Sequence, residues 1–152
     1  MMNWWFEKGI DGFRVDAITH IKKTFEAGDL PVPKGKQYAP AFDVDMNQPG
    51  IQDWLQEMKD KSLSHYDIMT VGEANGVNPD NAKEWVGEKE GKFNMIFQFE
   101  HLGLWSTGDS KFDVLSYKNV LNRWQKQLEG IGWNALFIEN HDQPRCCLLY
   151  TS

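Results

Sequence analysis

The sequence predicts an α/β fold built on a parallel sheet, and two observations lead to this prediction. Short apolar segments typical of strands buried on both faces alternate with helical segments along the 152 residues, which is the order of a parallel sheet. An acidic residue follows closely after three of the strands, at Asp16, Glu73 and Asp142. Because the carboxyl ends of parallel barrel strands lie on one face, we expect these three carboxylates to share one pocket.

The first fifty residues predict one helix end, one strand and a long loop. Residues 2–8 predict the last turns of an amphipathic helix, which Gly9 stops. A strand is predicted over residues 12–15, and residues 17–23 then open a helical turn. Residues 26–50 contain too many prolines and glycines for a regular element, so they predict a loop.

The middle of the chain predicts two helices around a second strand. Residues 49–62 predict a helix with one buried stripe, because apolar residues recur there at spacings of three and four, namely Ile51, Trp54, Leu55 and Met58. Residues 67–72 predict the second strand, with its buried side chains at Ile68, Met69 and Val71. Another short helix is predicted from residue 78 to about residue 85.

The last third predicts a third strand over residues 94–99, a helix over residues 116–129 and a fourth strand over residues 134–138. Three of the seven tryptophans lie on the predicted helices. We expect them to pack against the sheet rather than to bind a ligand: Trp54, Trp85 and Trp124.

Charge and composition exclude several classes of function. The formal net charge is −6, from 16 basic and 22 acidic residues, which disfavours nucleic-acid binding. No apolar run approaches the ~18 residues of a membrane span. The amino terminus lacks the features of a signal peptide, which favours the cytoplasm. The two cysteines are adjacent, at Cys146 and Cys147, and neither a disulfide framework nor a four-ligand zinc site is expected from them.

The surroundings of the carboxylates predict different chemical roles. Arg14 lies two residues before Asp16, on the same face of its strand, and a guanidinium lowers the pKa of a nearby carboxylate. Asp16 is therefore the candidate for an ionised nucleophile. Glu73 has no basic neighbour in sequence, so a raised pKa and general-acid work suit it. Asp142 could favour positive charge at a reacting carbon.

Other interpretations of these residues stay open. An acid after a strand is often a turn former or a helix cap. Glu100 and Glu139 are rival acids, and Glu139 ranks lower because Asn140 is predicted to face the pocket. His20 and His141 lack the spacing of metal ligands, so hydrogen bonding is the favoured role for them.

Cofactor binding is not expected from the sequence. Calcium remains possible in a longer parent protein, since the oxygen-rich residues 43–47 could offer ligands. Solvated loop polarity is the favoured explanation of this segment.

Three segments, residues 12–20, 71–73 and 140–142, resemble three short motifs of the α-amylase superfamily of glycoside hydrolases, in the order of that superfamily. The wider segments 63–73 and 139–145 resemble its α-glucosidase and oligo-1,6-glucosidase branch, and the resemblance extends over nearly all of residues 1–145.

The resemblance implies a retaining hydrolase of α-1,4 or α-1,6 bonds in short oligosaccharides. It implies that Asp16 is the nucleophile, Glu73 the general acid/base and Asp142 the transition-state stabiliser. Ala17, the residue after the nucleophile, would track the linkage preference, and its small size resembles enzymes that accept α-1,4 bonds. The residues expected to bind substrate are Arg14, Ala17, His20, Asn140, His141 and Arg145.

The resemblance also implies that the chain is a partial (β/α)8 TIM barrel, comprising about strands four to seven with their helices. A complete barrel takes ~250 residues, and the family's third-strand motif, eighth strand and β domain do not occur here. Residues 1–145 would be a fragment of the catalytic barrel domain, and residues 146–152 an unmatched, non-native tail. We expect such a fragment to be inactive alone.

Two alternative functions stay open within and outside this enzyme class. One is a transglycosylase, or a hydrolase of sucrose or a phosphorylated disaccharide, because such enzymes share the catalytic trio. The other is a non-catalytic barrel relative that serves as a binding module.

Overall fold

A computed structural model describes residues 1–26, 28–104, 112–143 and 145–149. It contains a four-stranded sheet whose strands follow the chain order, with β1 at Gly12–Val15, β2 at Met69–Ala74, β3 at Met95–Gln98 and β4 at Trp133–Asn134. Each neighbouring pair of strands is parallel. The predicted parallel α/β architecture is therefore confirmed.

Four α-helices connect or precede these strands: α1 at Met2–Phe6, α2 at Ile51–Lys61, α3 at Lys83–Val86 and α4 at Val114–Leu128. Short 3-10 helices occur at Ile18–His20, Asp43–Asp45, Leu63–His65, Glu100–Leu104 and Cys146–Leu149. None of the helices in the described part of the chain combines the length and the apolar character needed to cross a membrane.

The core lies between one face of the sheet and the helices. In β2 the side chains alternate, so that Thr70 and Ala74 are buried against the helices while Met69 is 55% exposed. Glu73 lies on the same strand face as Met69, as expected from the period of two. The opposite face of the sheet is therefore free to carry polar groups. The largest core side chains are Ile18, Ile51, Leu55, Trp85, Phe93, Ile96, Trp124 and Leu128.

The boundaries of β2 and β4 differ from the predicted ones. β2 begins two residues later than predicted and continues through Ala74, because Glu73 and Ala74 pair with Phe97 and Gln98 of β3. The prediction that Met69 is buried is wrong, since its side chain points away from the helices. β4 has only two residues instead of the predicted five, and the main-chain N–H of Ala135 makes one further bond to β3, 3.2 Å from the Ile96 oxygen.

The helices confirm the predicted burial of two tryptophans and contradict that of a third. Trp85 and Trp124 are 2% and 0% exposed, which confirms that they pack in the core. Trp54 is 50% exposed, so its predicted burial is wrong. The apolar stripe of α2 is narrower than the spacing indicates, and Trp54 lies outside it, with the Lys22 Nζ 5.9 Å from its ring centroid.

We predict that Trp124→Phe destabilises the fold strongly. Trp124 is fully buried and its Nε1 donates a hydrogen bond to Glu100 at 2.8 Å, so the substitution leaves a cavity and removes a hydrogen bond to a charged group. The free energy of unfolding, measured in urea, should fall by roughly 2–4 kcal/mol. The matched control Trp54→Phe should change it by less than about 0.5 kcal/mol. Equal losses in the two variants would contradict this assignment of the core.

Candidate functional site

The register of β1 and β2 brings Arg14 and the two candidate carboxylates together. Val15 pairs with Gly72, so the next residues along the two strands, Asp16 and Glu73, are neighbours. The Arg14 Nη2 lies 2.6 Å from the Glu73 Oε2, and the Arg14 Nη1 contacts the Asp16 Oδ1. One guanidinium therefore bridges both carboxylates. Sequence reasoning found the pair of Arg14 with Asp16 but missed the contact with Glu73, which joins residues 59 positions apart.

Close packing behind the carboxylates holds this arrangement. A Cβ on Gly72 would lie 2.4 Å from the Ile18 Cδ1, so a larger residue there would force the buried Ile18 side chain to move. Ala17 adopts the left-handed conformation with φ of 43°. Its main-chain N–H points at the Glu73 Oε2, 3.4 Å away. The turn after Asp16 is thus directly coupled to Glu73.

The two carboxyl groups have pKa values shifted in opposite directions. The pKa of Asp16 is lowered, first by a hydrogen bond shared with Glu73 and then by the hydrogen bond from Arg14. The pKa of Glu73 is raised, first by burial and then by the hydrogen bond shared with Asp16. The charge of Arg14 opposes this rise but is outweighed. The Asp16 side chain is 73% exposed and that of Glu73 only 15%, so burial is the first cause of the shift for Glu73 but not for Asp16.

This arrangement can supply both an ionised carboxylate and a protonated acid at one place. Asp16 keeps its charge at a lower pH than usual, and Glu73 keeps its proton to a higher pH than usual. Two neighbouring carboxyl groups with separated pKa values are the equipment of acid–base and nucleophilic catalysis.

A cavity of about 160 Å³ is lined by Glu73 and by Arg14, while Asp16 is not among the described residues that line it. Its wall combines polar groups with aromatic rings that contact one another, the Phe97 and Phe99 rings lying 5.4 and 5.7 Å from the Phe137 ring. A larger cavity of about 350 Å³, lined in part by Lys59 and Lys92, contains none of the candidate carboxylates. The residues that line the smaller cavity are Arg14, Glu73, Phe97, Phe99, Phe137, Glu139, Asn140 and His141.

Two of the aromatic rings were missed as site residues by sequence reasoning. Neither Phe97 nor Phe137 is among the site residues that the sequence predicts. The signal for Phe97 was its position, because it pairs with Glu73 across the strands and paired residues share one face of a sheet. Finding it required the register, which the sequence alone does not provide.

Some of the other predicted site residues line the cavity and others do not. Asn140 and His141 line it, as expected. Asp142 is not among the described residues that line it; its side chain is 59% exposed and pairs with the His141 Nε2 at 3.3 Å. Arg145 is exposed. His20 is buried elsewhere, 3.0 Å from the Thr19 hydroxyl and stacked on the Phe42 ring at 4.2 Å.

The two rival acids have different positions. Glu100 accepts a hydrogen bond from Trp124 and pairs with Arg123, so its contacts hold α4 against the 3-10 helix that follows β3. Glu139 does line the cavity, and the prediction that it faces away from the pocket is wrong. The reason is that residues after Asn134 are not in a strand, so side chains there need not alternate.

The oxygen-rich loop is occupied by protein contacts. The Asp45 carboxylate accepts a hydrogen bond from the Thr24 N–H at 3.1 Å and pairs with Lys23 at 3.7 Å. The side chain of Asp43 lies outside the described part of the structure. Among the described residues, no group of three or more acidic, histidine or cysteine side chains is arranged to hold a metal ion.

Comparison with known proteins gives one family and several relatives. The family described as "Alpha amylase, catalytic domain" matches residues 1–151. Probable oligo-1,6-glucosidase 3 of Bacillus subtilis (strain 168) is 60% identical over 146 residues, which cover 95% of this chain and 26% of the relative. The oligo-1,6-glucosidase of Bacillus cereus is 48% identical over 152 residues, covering 95% of this chain and 27% of the relative. The chain thus spans about a quarter of the length of these relatives.

Two solved structures are similar over almost the whole chain. The trehalose-6-phosphate hydrolase of Bacillus licheniformis matches with a TM-score of 0.77 and 35% identity, covering 98% of this chain and 27% of that one. The isomaltulose synthase of Erwinia rhapontici NX5 matches with a TM-score of 0.74 and 31% identity, covering 94% and 26%. Together with the four parallel strands in chain order, these likenesses confirm the predicted partial barrel.

We predict that Gly72→Ala destabilises the fold. The added methyl group would lie 2.4 Å from the Ile18 Cδ1, and Ile18 is fully buried, so its side chain must move within a packed core. The free energy of unfolding should fall by roughly 1–3 kcal/mol. The double variant with Ile18→Val lacks the clashing Cδ1 and should regain much of the loss. A double variant less stable than Gly72→Ala would contradict the proposed clash.

We also predict that Asp16→Asn lowers the pKa of Glu73 toward its ordinary value of 4.5. The variant removes a shared hydrogen bond and a nearby negative charge, both of which raise that pKa, while burial still holds it above 4.5. The titration of the Glu73 carboxyl carbon, followed by NMR, measures the change. Asp142→Asn is the matched control and should leave the titration of Glu73 unchanged.

The same titration has a consequence for stability. Because the folded state binds the Glu73 proton more tightly than the unfolded state, Glu73 stabilises the fold most below pH 4.5. This contribution should be lost as the pH rises through the raised pKa, and it should be smaller in Asp16→Asn. An equal pH dependence of stability in both proteins, between pH 4.5 and the raised pKa, would contradict the shift.

Proposed function

Because the chain belongs to the α-amylase catalytic-domain family, we propose that the whole protein hydrolyses α-glucosidic bonds of short oligosaccharides with retention. The observation that carries the proposal is the pair of neighbouring carboxyl groups, Asp16 and Glu73, bridged by Arg14 and shifted in pKa in opposite directions. The names of the relatives, oligo-1,6-glucosidase and alpha-glucosidase, support the same bond type.

In the first step of the proposed reaction, the Asp16 carboxylate attacks the anomeric carbon while Glu73 donates its proton to the leaving glycosidic oxygen. A glycosyl–Asp16 ester forms and the aglycone leaves as an alcohol. In the second step Glu73, now ionised, takes a proton from water as the water oxygen attacks the anomeric carbon and releases Asp16. The lowered pKa of Asp16 and the raised pKa of Glu73 suit these roles.

The close approach of the two carboxyl groups supports retention. Inverting glycosidases keep their two carboxyl groups about 6.5–9.5 Å apart to admit a water molecule, whereas retaining ones hold them closer. A single guanidinium contacts both Asp16 and Glu73, so the two carboxyl groups lie side by side, as retention requires. The mechanism needs only these two groups and water, so it requires no cofactor.

The cavity beside the pair supports a sugar as substrate. Its aromatic wall suits the apolar face of a sugar ring, while Arg14, Asn140, His141 and Glu139 offer donors and acceptors for hydroxyl groups. At about 160 Å³ it is smaller than the ~300–1,000 Å³ of most ligand pockets, which suits a single sugar ring. Asp142, paired with His141 at the cavity wall, would favour positive charge at the anomeric carbon.

Hydrolysis is favoured over the alternative functions. The solved relatives include a trehalose-6-phosphate hydrolase and an isomaltulose synthase, so the family likeness alone does not choose between water and a sugar as the acceptor. The curated relatives with 60% and 48% identity are both named as glucosidases. A non-catalytic binding module would not need an acid whose pKa is raised next to one whose pKa is lowered.

We predict that a full-length protein carrying this chain hydrolyses 4-nitrophenyl α-glucoside, and that NMR shows the α-anomer as first product. Asp16→Asn should abolish turnover because no glycosyl ester can form. Glu73→Gln should lower kcat/KM about 10²–10⁴-fold on substrates whose leaving group needs protonation, and less on substrates with good leaving groups. The 152-residue chain alone should show no turnover.

A matched control for both variants is Glu100→Gln. Glu100 contacts Trp124 and Arg123 rather than the cavity, so this change should alter stability far more than the rate. Release of the β-anomer as first product, or full activity of Asp16→Asn, would contradict the proposed function.

A further inference from the structure

Asn47 contacts both segments that follow the two carboxylates. Its main-chain N–H donates to the Thr19 carbonyl oxygen at 2.8 Å, and its Nδ2 donates to the Gly76 carbonyl oxygen at 3.1 Å. Thr19 lies three residues after Asp16, and Gly76 lies three residues after Glu73. Asn47 therefore links the two segments at equivalent positions along the chain.

This link lies beyond the point where β1 and β2 stop pairing with each other. The last pair of residues between β1 and β2 is Val15 with Gly72. Asp16 and Glu73 lie one step beyond that pair, so the pairing of β1 with β2 does not hold the segments that follow them, although Glu73 still pairs with β3. A bridge between Thr19 and Gly76 closes the gap behind both carboxylates.

The backbone around the bridge is specialised for a close approach. Asn47 has φ of 54°, a left-handed conformation that asparagine adopts more readily than most residues other than glycine. Gly76 has φ of 73°, and a Cβ there would lie 2.4 Å from the Met46 Sδ. The long loop and the turn after β2 are thus pressed together at this point.

The loop that carries Asn47 is anchored by contacts of its own. Asp45 accepts a hydrogen bond from the Thr24 N–H and pairs with Lys23, and the Gln48 side chain donates to the Val44 carbonyl oxygen. The first two contacts tie the loop to residues 23 and 24, further along the segment that follows Asp16, and the third lies within the loop. They hold the loop that carries Asn47 without involving Asp16 or Glu73 themselves.

The side chain of Asn47 makes its hydrogen bond through the amide nitrogen. A carbonyl oxygen only accepts hydrogen bonds, so the nitrogen of the amide, not the oxygen, faces Gly76. The Oδ1 is buried and accepts no hydrogen bond in the described part of the structure, which costs stability. The side chain thus contributes one hydrogen bond, the one to Gly76.

We infer that Asn47 is a positioning residue, which keeps Asp16 and Glu73 in contact by joining the segments behind them. The inference rests on the proposed function for the catalytic role of the two carboxylates. Its physical content, a link that holds their contact, does not depend on activity.

The test uses Asn47→Gly in the full-length protein. Glycine keeps the left-handed backbone and the N–H that bonds to Thr19, and removes only the link to Gly76. The value of kcat on 4-nitrophenyl α-glucoside should fall about 10–100-fold, since small displacements of reacting groups are that costly, while KM changes little. The basic limb of the pH–rate profile should move to lower pH, because Glu73 gains water and loses its contact with Asp16.

Asp45→Asn is the matched control, because it removes the ion pair of the same loop with Lys23 and leaves both hydrogen bonds of Asn47 in place. It should lower the melting temperature without moving kcat or the basic limb. Should the glycine variant not fold, Asn47→Asp keeps the shape and the N–H but replaces the donor with an acceptor, and it should act in the same direction.

Unchanged kcat and an unchanged basic limb in a folded Asn47 variant would overturn the inference, as would an equal shift in Asp45→Asn. Absence of glucosidase activity in the unmodified protein would instead defeat the proposed function. In that case the carboxyl-carbon titration of Glu73 decides: a lower pKa in the Asn47 variant supports the link, and an unchanged pKa overturns it.

Discussion

The parallel register of β1 and β2 is the constraint on which the rest of the site depends. Val15 pairs with Gly72, so Asp16 and Glu73 leave adjacent strands side by side, and neighbouring strands lie only about 4.8 Å apart. A slip of one residue would turn Glu73 toward the helices. It would also move Ile18 away from the only position in β2 where a glycine admits it. Packing and register therefore specify each other.

The pKa values of the two carboxyl groups differ because of their different exposure to water more than because of their contact with Arg14. Arg14 touches both of them, so its charge alone would lower both pKa values. The pKa of Glu73 rises nevertheless, because its side chain is only 15% exposed and lies next to Asp16. Asp16 lies at the open side with 73% exposure, where ionisation meets little resistance. The different burial of the two side chains thus favours an ionised Asp16 and a protonated Glu73.

Local sequence patterns predicted the features that neighbouring residues determine. They failed for features that depend on residues distant in the sequence. β1 was predicted with its observed bounds, because Asp11 and Asp16 delimit a short apolar run. The end of β2 was missed because its pairing with β3 continues through Ala74. Periodicity placed Trp54 in the core, but only the tertiary arrangement shows which edge of an apolar stripe stays outside.

The candidate site followed the same rule. Arg14 and Asp16, two residues apart, could be paired from the sequence. The contact of Arg14 with Glu73 and the cavity-facing position of Phe97 needed the register between strands. Glu139 was misplaced because alternation was assumed beyond the end of β4.

β2 joins the stability of the fold to the chemistry of the site. Its alternate residues serve opposite layers, since Gly72 receives the buried Ile18 from the helix side while Glu73 faces the cavity. A change at position 72 must therefore affect both the core and the carboxylate pair. The polar groups around the cavity, such as His141 at 73% exposure, pack against little of the core. Substitutions there can alter the chemistry while leaving the fold intact. Loss of activity through unfolding and loss through altered chemistry are therefore distinguished by measuring stability as well as activity.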